Sequence, residues 1–290
     1  MAGHGSRPKH VYLFGGHTEH SLAPALWNYV FGKLRQNCAY VPVSTEAEAL
    51  ADEVLRLRHP STIGANVTIP LKEAAASIAD VTDEDVRLTG ATNWLSWRRG
   101  SLCAANTDVT AARKLTIEAS GQVLLLGAGG GAAAVAAGMR TNVENIVVAD
   151  VDGRRAQNLR DRIASWGTEC TVVKWSERRF ALPSSDVVVN ATPLGMSGPL
   201  ADASPIEPTW LSGPIRVYDL VYAPSRTPLQ HHASALGLPL VDGLAHLYEQ
   251  AVDLLPHMNL TPEAVILLEE GISAAFPGRR RTDWSSASAH

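Results

Sequence analysis

The chain has 290 residues, 46% of them hydrophobic and 19% charged, with a formal net charge of -4 and a mean hydropathy near zero. This length allows two domains of ordinary size, and the balance is that of a chain that buries its core in water. No apolar run approaches the roughly 20 residues that span a bilayer, the N-terminal MAGHGSRPKH has no secretory apolar stretch, and the negative charge leaves no basic footprint for phosphates, so a cytoplasmic chain without membrane or nucleic-acid partner is expected. Cys38, Cys103 and Cys170 are odd in number and far apart, which excludes a disulfide framework and a CxxC site. His231 and His232 are adjacent in a helical pattern and point apart, so no metal is expected.

In chain order, VYLFGG after His10 reads as a strand, and SLAPALWNYVFGKL as a helix started by Ser21 and Pro24. The alternation continues through a strand at 39–43, a helix at 46–58, a strand at 65–70 and a helix at 72–79, which implies a largely parallel sheet covered by helices. ATNWLSW and SLCAAN are short strands around Arg98–Gly100, and a helix follows from Asp108. A second strand series opens with QVLLLGAGGG at 122–131 and continues at 145–150, 170–175, 186–192, 216–222 and 238–243, with helical patterns between several of its members, as in a doubly wound fold. After Asp242 the pattern is helical to about Phe276, broken near Pro256–Pro262, and Arg279–Arg281 before SSASAH read as a solvated terminus.

The first strand of the second series runs into Gly127-Ala128-Gly129-Gly130-Gly131-Ala132, which fits G-x-G-x-x-G/A between strand and helix. Glycines there let backbone N–H groups and the positive helix end approach a pyrophosphate. Asp150 ends the next strand at about the 20-residue spacing at which a carboxylate holds the adenosine ribose and repels a 2′-phosphate, so NAD is expected rather than NADP. Arg154 and Arg155, one helix turn further on, are the cations that would argue for NADP. In the first half, Asn66–Lys72, Gly90–Asn93 and Asn106–Asp108 carry amides, hydroxyls, a lysine and a carboxylate at strand ends, suited to a substrate with several hydroxyls and one acid group.

These strings, with Asn190–Met196, Tyr218–Tyr222 and Asp242–Gln250, resemble in order the motifs of the shikimate/quinate dehydrogenase family from residue 10 to about 255. The resemblance implies an N-terminal α/β substrate domain at 1–110 and a Rossmann-type doubly wound domain at 111–242, with the helices of 243–290 packing back on the first. It implies Lys72 and Asp108 as the catalytic pair and Ser21, Asn66, Thr68, Asn93, Tyr222 and Gln250 as substrate ligands. Gly127, Gly129, Gly130, Gly131, Asp150, Thr192 and Gly243 are the expected cofactor contacts. A cleft between two α/β units, a monomer or homodimer, and NAD-linked oxidation of quinate or shikimate to the 3-dehydro ketone complete the expectation. The family usually shows Ser-x-Ser-Pro where this chain has Ser21-Leu22-Ala23-Pro24, a His-Asn pair where it has Trp27-Asn28, a small polar residue at Trp94 and methionine at His246. A bulky or ionisable group at these points would reshape the pocket, which keeps two alternatives: a dehydrogenase of an amino- or otherwise modified shikimate, and a non-catalytic regulator that binds NAD or a metabolite.

Overall fold

The computed structural model describes residues 7–116, 120–277 and 279. They form two compact units: one runs to Thr107 and takes in the segment from Ala251, and the other runs from Asp108 to Gln250 and includes Arg279.

In the first unit β1 (Lys9–Gly15), α1 (Ala23–Lys33), β2 (Cys38–Ser44), α2 (Leu50–Glu53), β3 (Thr62–Val67), α3 (Lys72–Ser77), β4 (Val81–Thr82), α4 (Glu84–Thr89), β5 (Trp94–Arg98) and β6 (Ser101–Ala105) follow in order. The sheet order is β2-β1-β3-β5-β6-β4. β1 is parallel to both β2 and β3, whereas β5 runs antiparallel to β3 and to β6. The two short strands expected around Arg98–Gly100 are one hairpin: Arg98 pairs with Ser101, and Arg99 and Gly100 take φ of 51° and 84°. Positive φ at both central residues is the turn whose twist matches paired strands.

The helix expected at 46–58 is shorter, because α2 gives way to a 3-10 turn over Val54–Arg58 that still buries Leu50, Val54 and Leu57. α4 is better specified: the Asp83 carboxylate accepts from Val86 N–H at 2.7 Å, and Gly90 closes it in the left-handed region.

The second unit contains α5 (Thr107–Leu115), β7 (Gln122–Leu126), α6 (Gly130–Met139), β8 (Asn145–Ala149), α7 (Gly153–Ser165), β9 (Glu169–Val172), β10 (Val187–Asn190), β11 (Arg216–Asp219), α8 (Pro228–Ala235), β12 (Leu240–Val241) and α9 (Gly243–Leu254). Its sheet, β12-β11-β10-β7-β8-β9, is parallel throughout. β7, β8 and β9 run to one side and β10, β11 and β12 to the other, which is the doubly wound order with its switch between β7 and β10. Covered on both faces, the inner strands are apolar without alternation, as in VLLL, IVVA and VVV.

α10 (Ala264–Ala275) lies against α1 in the first unit: Gly271 admits Leu26, and Tyr29 Oη donates to Glu270 at 3.0 Å. The C-terminal helix therefore returns to the first half. Expected divisions lay at 110/111 and 242/243, and the units divide at 107/108 and 250/251, within α5 and α9. Arg279 is not solvated as its neighbours in sequence suggested. It is buried, donating to the Asp242 carboxylate and to the Ser225 carbonyl, because Asp242 is a buried acid that needs a cation. Arg280, Arg281 and the tail lie outside the described residues. Among the described residues no helix is long and apolar enough to cross a membrane.

Candidate active site

The carboxyl ends of β1 and β3 are stitched together, with Thr68 N–H donating to the Phe14 carbonyl at 2.9 Å and Gly16 N–H to the Ile69 carbonyl at 3.1 Å. Asn66 pairs in register with Trp94 and Trp94 with Ala105, so Asn93 and Asn106 share that same end of the sheet. β1 lies between β2 and β3, and such a reversal of strand order is where open α/β sheets leave room for ligands. Ser21, Asn66, Thr68, Asn93 and Lys72, the first residue of α3, are thus gathered at one end of one sheet.

Their amides also hold the frame. Asn66 Oδ1 accepts from Tyr40 Oη at 2.7 Å and its Nδ2 donates to the Asn93 carbonyl at 3.0 Å, which leaves one donor and one lone pair of the Asn66 amide. The Asn93 amide faces Thr107 twice, accepting from its N–H and donating to its hydroxyl, each at 2.9 Å. Ser21 Oγ accepts from Ala23 N–H at 3.2 Å at the start of α1. Sequence reasoning missed Tyr40, which stands in no polar string and acts through a partner brought by the sheet, and gave Thr107 no role of its own within the string Asn106–Asp108.

Trp27 and Trp94 are buried in the first unit. They are 2% and 1% exposed. Trp94 fills the space above Gly64 and tilts against His257 at 5.9 Å. Asn28 holds β2 instead, bonding Tyr40 N–H at 2.8 Å and the Tyr40 carbonyl at 3.0 Å.

In the second unit the glycine loop leaves β7 beside the end of β10. Gly127 has φ of 102°, and a Cβ there would sit 2.9 Å from the Ala191 carbonyl, so only glycine fits. Gly129 stands before Gly130 and Gly131, which open α6 and turn first-turn N–H groups outward without intrahelical acceptors. Thr192 Oγ donates to Asn190 Oδ1 at 2.6 Å and accepts from Leu194 N–H at 3.2 Å, which fixes the neighbouring loop.

Asp150 is engaged on both oxygens, by Ala128 N–H at 2.7 Å and Asp152 N–H at 2.8 Å. The Asp152 carboxylate caps α7 through the N–H groups of Arg154 and Arg155, and the Arg155 guanidinium reaches 2.9 Å from where a Gly129 Cβ would stand. Together the exposed N–H groups, the helix end and Arg155 fit a dinucleotide with several negative charges.

Gly243, His246 and Gln250 lie three and seven residues apart on α9 and so share a face. Asp242 caps that helix through Leu244 and Ala245 N–H, both at 3.1 Å, while Tyr222 stands half-buried after β11. Asp108, in the first turn of α5, is 2% exposed, and its Oδ1 lies 3.4 Å from His246 Nε2. His246 Nδ1 in turn lies 2.6 Å from Tyr218 Oη. His246 was visible in the sequence only as a departure from a motif, and Tyr218 only as the first residue of the string Tyr218–Tyr222, with no role of its own.

A family model described as the shikimate dehydrogenase substrate binding domain matches residues 13–95. A protein of Rubrobacter xylanophilus named shikimate dehydrogenase (NADP(+)) is 37% identical, the match covering 84% of this chain and 88% of that one. One of the same name from Salinibacter ruber is 35% identical over 83% and 88%. A crystal structure of a shikimate dehydrogenase in complex with NADP+ matches with a TM-score of 0.81 at 28% identity, covering 92% of this chain and 96% of that one. These names overturn the expectation of NAD drawn from Asp150. The physical reason lies in the loop: beside Asp150, whose carboxylate accepts from two backbone N–H groups, Arg155 brings a cation to Gly129 that can offset the repulsion of a 2′-phosphate.

Proposed function

The chain belongs to the shikimate dehydrogenase family, and on that premise we propose that it interconverts shikimate and 3-dehydroshikimate with NADP(H). The observation that carries this reading is the near full-length likeness to relatives named for that reaction, at 37% and 35% identity. In this reading Ser21, Asn66, Thr68, Asn93, Tyr222 and Gln250 are the substrate ligands. The nucleotide supplies a hydride acceptor or donor at its nicotinamide. On oxidation the carbinol carbon loses its hydrogen with both bonding electrons, the hydroxyl proton passes to Lys72 Nζ, and the C=O bond forms; Asp108, as an ionised carboxylate, is the other member of that acid/base pair. The 2′-phosphate is assigned to Arg155, whose planar guanidinium suits a bidentate contact.

Quinate is the second reading, favoured by Ala23, which stands in place of a hydroxyl at the start of α1 and opens the carboxylate side to this bulkier acid. The test is initial rates of NADPH or NADH formation on shikimate and on quinate. We expect kcat/KM for shikimate to be at least about tenfold higher with NADP+ than with NAD+, the gain of one charge-assisted contact. Faster turnover of quinate overturns the substrate, a preference for NAD+ overturns the cofactor, and no turnover in any combination overturns the enzyme.

A further inference from the structure

Three buried polar side chains of the second unit stand in a row. Tyr218 on β11 is 1% exposed, His246 on α9 is 6% and Asp108 on α5 is 2%. Tyr218 Oη lies 2.6 Å from His246 Nδ1, and His246 Nε2 lies 3.4 Å from Asp108 Oδ1. The hydrogens of this row follow from the chemistry of its ends. Burial, then the carboxylates of Asp108 and Glu249, hold the Tyr218 phenol well above its usual range, so it keeps its proton. A buried hydroxyl donates where an acceptor stands, here Nδ1. An ionised carboxylate only accepts, so the ring proton belongs on Nε2, facing Asp108. Beside the row Glu249, on α9, pairs with Lys114 of α5 at 3.3 Å.

We propose that Tyr218 and His246 form a positioning relay in which His246, held as an Nε2–H donor, orients the Asp108 carboxylate for proton exchange. The inference rests on the reading of Asp108 as part of the acid/base machinery. His246 touches neither substrate nor nucleotide in this assignment; it acts through Asp108. A 3.4 Å separation is long for a hydrogen bond, as it often is where such bonds tighten only with substrate bound. A donor aimed at the ionised carboxylate favours that form, so its removal raises the pH at which Asp108 gains a proton.

The test compares His246→Met, His246→Gln and Tyr218→Phe in the full-length enzyme by pH profiles of kcat for ketone reduction, in which Lys72 must start protonated and so sets the basic limb. His246→Met, which keeps the volume and removes the donor, should move the acidic limb upward by about one pH unit, a roughly tenfold loss of rate on that limb, with both KM values within about twofold. His246→Gln, which returns an N–H near the Nε2 position, should bring the limb most of the way back. Tyr218→Phe, which frees the tautomer, should move it in the same direction by less. A carbon-13 carboxyl titration of Asp108, assigned through Asp108→Asn, reads the same shift without turnover and should rise in His246→Met. A merely structural histidine would lower stability and leave both limb and titration in place, which overturns the relay. If Asp108→Asn turns over normally, the reading of Asp108 falls and the relay with it. If Asp108→Asn is inactive while the limb of His246→Met is unmoved, the relay alone falls.

Discussion

Arg155 and Asp219 show two different fates of charge in one unit. Arg155 is exposed, and its guanidinium is carried to Gly129 by a helix that Asp152 caps. Arg155→Ala should raise KM for NADP+ by roughly 10- to 100-fold, the range of a hydrogen bond to a charged group, and change KM for NAD+ little. Equal effects on both cofactors would remove it from the 2′-phosphate. Asp219 is fully buried, and burial pushes its carboxyl up to about 6 against hydrogen bonds from Thr227, Val221 N–H, Asn190 and Gln230. Its folded value lies above the unfolded value of 3.8, so the native state binds this proton more tightly. The contribution of Asp219 to stability therefore grows as pH falls through about 6 and is complete below about 4, and it is lost again as pH rises. A carbon-13 titration of the folded protein should find its midpoint near 6, and a midpoint near the unfolded value would refute the assignment.

At the scale of elements, α6 and the strands around it show what local pattern transmits. α6 is buried from Ala132 to Met139, so it has no polar face from which periodicity could identify it, and the glycine loop before it was the legible signal. Its contact with α5 depends on Gly138, where a Cβ would lie 2.7 Å from Ala112 Cβ and Arg113 N and 2.9 Å from the Val109 carbonyl. Two of those atoms are backbone and cannot rotate away. Gly138→Ala should cost about 1–3 kcal/mol as overpacking, despite the better helix propensity of alanine, and urea unfolding measures it. Strand limits were less legible, because the 216–222 and 238–243 runs hold only Arg216–Asp219 and Leu240–Val241 as strand. The residues beyond them turn to place Tyr222 and to begin α9, and apolar composition alone does not mark where pairing stops.

For the molecule as a whole, the proposed division of labour predicts separable defects. Lys72→Ala should lower kcat by about 10²–10⁴, the usual contribution of a general acid/base, while affinity for NADP+ measured by titration stays within a few-fold. Near-normal turnover would remove Lys72 from the chemistry. The alternation of strands and helices, the glycine loop and the polar strings at strand ends were all determined by the sequence itself, since each rests on side-chain periodicity or backbone sterics within a few residues. Strand order, the antiparallel pairing of β5 with β3, the bond from Ala128 N–H to Asp150, the burial of Arg279 and the row Tyr218–His246–Asp108 were decided only by tertiary structure. Each depends on a hydrogen bond or contact between residues distant in the chain, and such a partner exists only once the sheet has set its register.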